Sequence, residues 1–262
     1  MAVTRYAAGV EYDGRGFCGW QRQQDLRTVQ GEVEAAVSRV ADHQISVICA
    51  GRTDAGVHAL GQVIHFDSAA PRSLRSWLLG SNRFLPPDVK LTWVRPVPAA
   101  FNARFAAIGR RYRYLIHNAA SHSALWRARV AECPVPLDIS AMNRAAALLC
   151  GKHDFSSFRG RDCQARSPVK YLRELHVRRQ GPWVTLEAEA VGFLHNMVRN
   201  MTGSLLAVGR GDRPVQWMAE VLAARTRAAA GATAPPHGLY FVAARYPDEF
   251  SLPTLTNQGF PL

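Results

Sequence analysis

The stretch ISVICAGRTDAGVHALGQVIHF (45–66) reads as two strands joined by a glycine-bracketed loop. ISVICA (45–50) is a short apolar run of the buried-strand kind. Residues 57–67 read as the second strand, with Ile64 and Phe66 alternating against Val63 and His65. The loop between them is GRTDAG (51–56). Toward the N-terminus, residues 29–40 place Val29, Val33, Ala36, Val37 and Val40 at helical spacing. Before that, RYAAGVEY (5–12) reads as a strand ended by the turn pair Asp13-Gly14. Toward the C-terminus, a helix is expected over 73–85, stopping before Pro86-Pro87, and a strand over 89–97. The order β-α-β-β-α-β is that of a ferredoxin-like split βαβ unit.

PVPAAF (96–101) is a plausible boundary, and a similar rhythm follows it. RRYRYLIHN (110–118) alternates Tyr112, Tyr114 and Ile116 against Arg111, Arg113 and Leu115. A helix over 138–150 carries Met142, Ala145, Ala146 and Leu149 on one face. Strands over 169–179 and 183–191, helices over 194–208 and 214–224, and a strand over 239–246 complete the chain. The expected fold class is α+β: two ferredoxin-like (RRM-like) domains with antiparallel sheets, 1–100 and 101–262.

The 262 residues are 48% apolar and 20% charged, which excludes a mainly disordered chain, a collagen or a disulfide scaffold. No stretch approaches the roughly 20 apolar residues of a membrane span. The N-terminal MAVTRYAAGVEYDG lacks the long apolar run of a signal peptide, so a cytoplasmic location and no membrane partner are expected. The five cysteines contain no C-x-x-C pair, and the histidines no H-x-H or H-x-x-x-H pair, so no metal site is suggested. Reduced, mostly buried thiols are the expectation.

The net charge is +12, and 29 of the 32 basic residues are arginine. A GC-rich genome would account for the ratio of arginine to lysine but not for the net excess. Residues 101–180 hold 15 basic and 5 acidic residues, so one region carries most of the imbalance. That points to a polyanionic partner, nucleic acid above all.

Asp54 sits in the GRTDAG loop with Arg52 two residues away. Small neighbours allow a substrate close to the backbone, and Arg52 could hold a phosphate or steady the carboxylate. An aspartate that bonds its own turn would look the same.

The run GRTDAGVH (51–58) resembles the signature of the tRNA pseudouridine synthase A family. Further matching segments are EYDGRGFCGWQRQ (11–23), FNARFAAIGRRYRYLIHN (101–118), GKHDFSSFRG (151–160), CQARSP (163–168), GFLHNMVRNMTGSLLAVG (192–209) and GLYFVA (238–243). The resemblance spans about residues 5 to 248, in order. It implies the pseudouridine synthase fold and isomerisation of uridine at positions 38, 39 and 40 of the tRNA anticodon stem-loop. It also implies a homodimer with tRNA as partner and no cofactor, in keeping with the absence of P-loop and dinucleotide motifs.

Residue by residue, the resemblance makes Asp54 the catalytic aspartate and Arg199 the basic residue that pairs with it. It makes Tyr112 the tyrosine that packs on the target base and Leu239 the apolar residue beneath the uracil. Arg52 becomes a candidate for extruding the nucleotide. Arg110, Arg111, Arg113, Arg159 and Arg161 become candidate phosphate contacts. Without the resemblance, Tyr112 is a strand aromatic, Arg199 a helix arginine and Leu239 a strand leucine. His58, His195 and Phe155 fall in matched segments without an assigned chemistry, and Cys18 stands where aromatic residues often occur. The route of the nucleophile stays open at this level: attack at C1′, addition to the base, or removal of a sugar proton.

Two rival classes share parts of the pattern. A non-catalytic RNA-binding module would have the same basic strands but would gain from losing a negative charge near phosphate. A carboxylate hydrolase usually needs a second carboxylate or a metal, and the loop offers one aspartate.

Overall fold

A computed structural model describes residues 2–253. The strands are β1 (Thr4–Tyr12), β2 (Ile48–Cys49), β3 (His58–Ser68), β4 (Val89–Val97), β5 (Gly109–His117), β6 (Ala131–Glu132), β7 (Gly151–Asp154), β8 (Val169–Gln180), β9 (Trp183–Ala190) and β10 (Leu239–Arg245). The helices are α1 (Val29–Ala41), α2 (Ser81–Phe84), α3 (Ile139–Ala147), α4 (Met197–Gly209) and α5 (Trp217–Ala224). The chain forms two compact units, one running to Arg110 and resuming at Phe241, the other from Arg111 to Tyr240. The division thus falls later than PVPAAF, and most of β10 returns to the first unit.

In the first unit the strands run in the order β4-β1-β3-β10, with the short β2 also on β3. β1 is antiparallel to both neighbours, with Tyr6 opposite Phe66 and Arg5 opposite Val97. Tyr6 stacks on Phe66 at 5.4 Å, and Trp77 closes against both rings at 5.4 and 5.2 Å. Val33 and Val37 of α1 are fully buried. Each such side chain contributes about 1.5–3 kcal/mol of burial. α1 is begun by Thr28, whose hydroxyl accepts from Gly31 N–H, and ended by Asp42 at φ +60°.

Two sequence expectations need correction here. The strand expected over 45–50 shrinks to Ile48–Cys49, which pair with His65 and Ile64. Ile45 and Val47 are buried all the same, so the apolar run reports burial and not strand pairing. The helix expected over 73–85 is interrupted by a π-helical turn at Ser76–Gly80 before α2. Trp77 is wholly buried from this widened turn, while Leu74, Leu79 and Phe84 are exposed.

In the second unit the order is β5-β9-β8-β7, with β6 parallel to β5. β8 and β9 form an antiparallel hairpin, and β7 is antiparallel to β8. Asp138 caps α3, accepting from Ala141 N–H at 2.9 Å. α4 is buried nearly all round, its polar residues included: Asn200, Thr202 and Ser204 have no exposure. Their polar groups are bonded. Asn200 Nδ2 donates to Phe158 O, Thr233 donates to Asn200 Oδ1, and the Thr202 and Ser204 hydroxyls donate back to the carbonyls of Val198 and Asn200. The α+β class with antiparallel sheets holds.

Candidate active site

The GRTDAG loop is set from below by bonds to its two flanks. Ala50 N–H donates to Val63 O at 2.8 Å, and the Gln62 side chain bonds both the N–H and the C=O of Gly51. Thr53 is buried; its hydroxyl shares a 2.7 Å hydrogen bond with Tyr12 Oη, and its carbonyl accepts from Trp20 N–H at 3.0 Å. Burial pushes the Tyr12 phenol far above its usual value against the pull of these bonds, so it stays a neutral partner. Asp54 O accepts from Val57 N–H at 3.2 Å, closing the turn that leaves the Asp54 side chain half-buried and Arg52 exposed.

The next layer is the Asp13-Gly14 turn. A Cβ on Gly14 would lie 2.0 Å from Val57 O, so only glycine lets this turn lie against the end of the loop. Gly14 N–H donates to Nδ1 of the buried His58 at 3.1 Å. Asp13 stands 3.3 Å from the same ring nitrogen and is gripped by the Arg15 guanidinium at 2.7 Å. Burial would raise the Asp13 carboxyl, but the neighbouring His58 and the side-chain and backbone bonds from Arg15 outweigh it and hold it well below the usual range. His58 is therefore a support of the loop, a role its position in the sequence did not reveal.

Arg110 completes the cradle. Its guanidinium donates to Ala50 O at 3.0 and 2.9 Å, to Arg104 O at 2.5 Å and to Ala107 O at 3.3 Å. It holds the residue immediately before the loop by backbone carbonyls.

In the second unit, Tyr112 lies on β5, 9% exposed, with its ring edge-on to Phe193 at 5.2 Å. Its strand neighbours are braced on the β9 side. Arg113 donates to Glu187 Oε1 at 2.9 Å through Nε and at 2.5 Å through Nη2. Arg111 meets Glu189 at 3.3 Å, and Arg173 meets the other oxygen of Glu189 at 2.8 Å. Glu189 is only 1% exposed. A carboxylate so buried needs such partners.

Arg199 lies in the first turn of α4. Asn196 precedes the helix at φ +60° and makes no cap bond; its side-chain oxygen accepts from Arg199 Nη1 at 2.8 Å. Arg199 Nε donates to Ala234 O at 2.8 Å, and Ala234 N–H donates to Arg199 O at 3.1 Å. The following carbonyl, Pro235 O, accepts from the Tyr114 phenol at 2.8 Å. Tyr114 is fully buried, which raises its phenol well above the usual value, and the charge of Arg199 acts on it in the opposite sense. Tyr114 thus anchors the strap that holds Arg199. The R-R-Y-R-Y spacing shows only that Tyr114 shares a strand face with Tyr112. Leu239, 5% exposed, begins β10 just beyond this strap.

Arg159 donates to the carbonyls of Cys163 and Ala165 at 2.7 and 2.9 Å, closing the loop after the Ser156–Phe158 turn, and Arg161 is exposed. Phe155 is wholly buried. His195 O accepts from Gly160 N–H at 2.8 Å, and His195 N–H points at Cys163 Sγ at 3.4 Å. Burial would raise the Cys163 thiol, but the backbone N–H groups of Ala165 and His195 and the Arg159 side chain leave it lower than usual. All five cysteines are free. No described helix is long and apolar enough to cross a membrane.

One α+β unit carries a loop carboxylate, and the other a braced tyrosine–arginine strand and a strapped helix arginine. The chain belongs to the tRNA pseudouridine synthase family: the sequence model of that family matches residues 8–106 and 145–247. It is 54% identical over 248 residues to the tRNA pseudouridine synthase A of Methylococcus capsulatus, covering 95% of this chain and 92% of that protein. It is 52% identical over 252 residues to the enzyme of the same name from Alcanivorax borkumensis, covering 96% and 94%. Among solved structures, the archaeal box H/ACA sRNP Nop10–Cbf5 complex aligns with 77% of this chain and 43% of its own chain, at 13% identity and a TM-score of 0.30.

Proposed function

We propose that this protein isomerises uridine to pseudouridine in tRNA, at positions 38, 39 and 40 of the anticodon stem-loop. Family membership over both halves of the chain carries the reading. It favours a catalyst over a binding module.

The reaction breaks the bond from N1 of uracil to C1′ and forms one from C5 to C1′. The proton on C5 leaves and N1 gains one, so atoms and electrons balance without a redox partner. Asp54 is the nucleophile, presented by a loop whose backbone is hydrogen-bonded to both flanks. Arg199 is its basic counterpart. Tyr112 and Leu239 hold the base once it has left the stack, a step that costs a few kcal/mol. The exposed Arg52 assists extrusion. Arg110, Arg111, Arg113 and Arg159 belong to the RNA-facing region, where their internal bonds to carbonyls and carboxylates support a role in shaping it and speak against a direct phosphate contact for the buried Arg113. Most such contacts position RNA without specifying its sequence. The protein works as a homodimer in the cytoplasm, where its tRNA partner is found.

The test is Asp54→Ala with an unmodified tRNA transcript. Pseudouridine formation, mapped by position, should fall by at least about 10³-fold, with tRNA binding largely retained. A variant that still isomerises uridine at the wild-type rate sinks the assignment.

A further inference from the structure

Phe105 is 78% exposed, more than any other aromatic among the described residues. Single exposed apolar side chains are ordinary. What sets this one apart is that the backbone around it is tied down while the ring itself stays open to solvent. Asn102 Oδ1 accepts from the N–H groups of both Arg104 and Phe105, at 3.0 and 3.1 Å. Ala103 N–H donates to His65 Nδ1 at 3.1 Å, and Ala103 O accepts from the Tyr246 phenol at 2.6 Å. Ala106 N–H returns to Asn102 O at 2.9 Å, and Ile108 N–H donates to Arg245 O at 2.8 Å. The loop therefore presents the ring from a fixed backbone, and a preorganised platform loses little entropy on binding.

The surroundings are cationic. The Arg104 guanidinium carbon lies 5.4 Å from the centre of the Phe105 ring. Arg110 Nη2 sits 2.9 Å from Ala50 O and 2.5 Å from Arg104 O. One guanidinium thus spans from the residue before Phe105 to the residue before the GRTDAG loop. A flat apolar ring amid arginines, next to a loop that handles RNA, suits one kind of partner: an unpaired nucleobase, whose face stacks on aromatic rings whatever its identity.

We propose that Phe105 is a base-stacking residue that packs on a nucleobase neighbouring the uridine attacked by Asp54. This rests on the reading above that the protein acts on tRNA. The ring supplies a surface for a base displaced when the target leaves the stack, and Arg104 and Arg52 meet the adjoining phosphates.

The experiment compares wild type, Phe105→Ala, Phe105→Leu and Phe105→Trp in the full-length protein, each titrated with the same unmodified tRNA transcript. Stacking predicts a Kd raised about tenfold in the alanine and leucine variants and restored in the tryptophan variant. Melting temperature and sedimentation should match wild type throughout. Wild-type affinity in Phe105→Ala overturns the proposal. So does wild-type affinity in Phe105→Leu, which would mean that apolarity alone suffices. A change of sedimentation in Phe105→Ala also overturns it, by making the ring a contact between protein copies. Pseudouridine mapping on the wild-type reaction is the separate check on activity: its failure would sink the isomerase reading, while the affinity series would still decide the stacking.

Discussion

In the first unit the Asp54 loop is held mostly by backbone and neutral groups, namely the Thr53–Tyr12 hydroxyl pair, the Gln62 amide and the Gly14 turn, with the Arg110 guanidinium on the Ala50 carbonyl. In the second unit the Tyr112 strand is held by charge, with Glu187 and Glu189 answering Arg113, Arg111 and Arg173. The difference follows from what each region presents. The one acid in the layer beneath the loop, Asp13, is itself answered by Arg15. A strand carrying alternate arginines must neutralise those that turn inward, or leave a buried cation unpaired. Net charge is thus a poor guide to which arginines face a ligand.

The contrast can be broken first at its tightest point. Gly14→Ala puts a methyl 2.0 Å from Val57 O, where backbone and not a flexible side chain must move. Overpacking of that kind costs about 1–3 kcal/mol, read by thermal unfolding. Pseudouridine formation should fall further than stability explains, because Val57 closes the Asp54 turn. Gly203→Ala, whose methyl would meet Ala232 O on the strap side of α4, is the matching probe of the second unit.

Next comes charge. Glu189→Gln leaves Arg111 and Arg173 without their shared carboxylate, and is expected to cost roughly 1–2 kcal/mol in urea unfolding. This is less than for a fully buried pair, because both guanidinium groups keep about a third of their exposure to water. An unchanged midpoint would show that these bridges do not brace the strand.

The smallest effect is a pH dependence confined to the first unit. The Asp13 carboxyl is held below its ordinary value in the folded protein, so its contribution is fully present above the unfolded value. That contribution is lost as pH falls through the lower, folded value. Asp13→Asn should therefore melt below wild type by a constant margin from neutrality down to about pH 4, and the margin should narrow at more acid pH. A margin that widens on acidification would contradict the assignment.

Much of the fold was legible because strand and helix periods are local. β1, α1, β3, β4, β5, α3, β8, β9, α4 and β10 all fall within a few residues of their expected positions. β6 and β7 were missed: AE and GKHD are too short and too polar to alternate, and only pairing makes them strands. The π-helical turn at Ser76–Gly80 was equally invisible, since it widens the helix without changing which residues are apolar.

The candidate site divides the same way. Its local parts could be read from the chain: the glycine-bracketed Asp54, the alternating Tyr112 strand and the helix bearing Arg199. The partners of the arginines could not. Arg110 reaches Ala50, 60 residues away, and Arg113 reaches Glu187, 74 away. An arginine's spacing is the same whether it meets a phosphate, a carboxylate or a carbonyl. The sequence alone determined the order of elements, the family and the carboxylate loop, because these depend on neighbours along the chain. Only the tertiary structure decided that His58 and Arg110 hold the Asp54 loop and that Tyr114 anchors the Arg199 strap. It also decided that Phe105 is left uncovered. Each of these depends on groups that strand pairing brings together from distant parts of the chain.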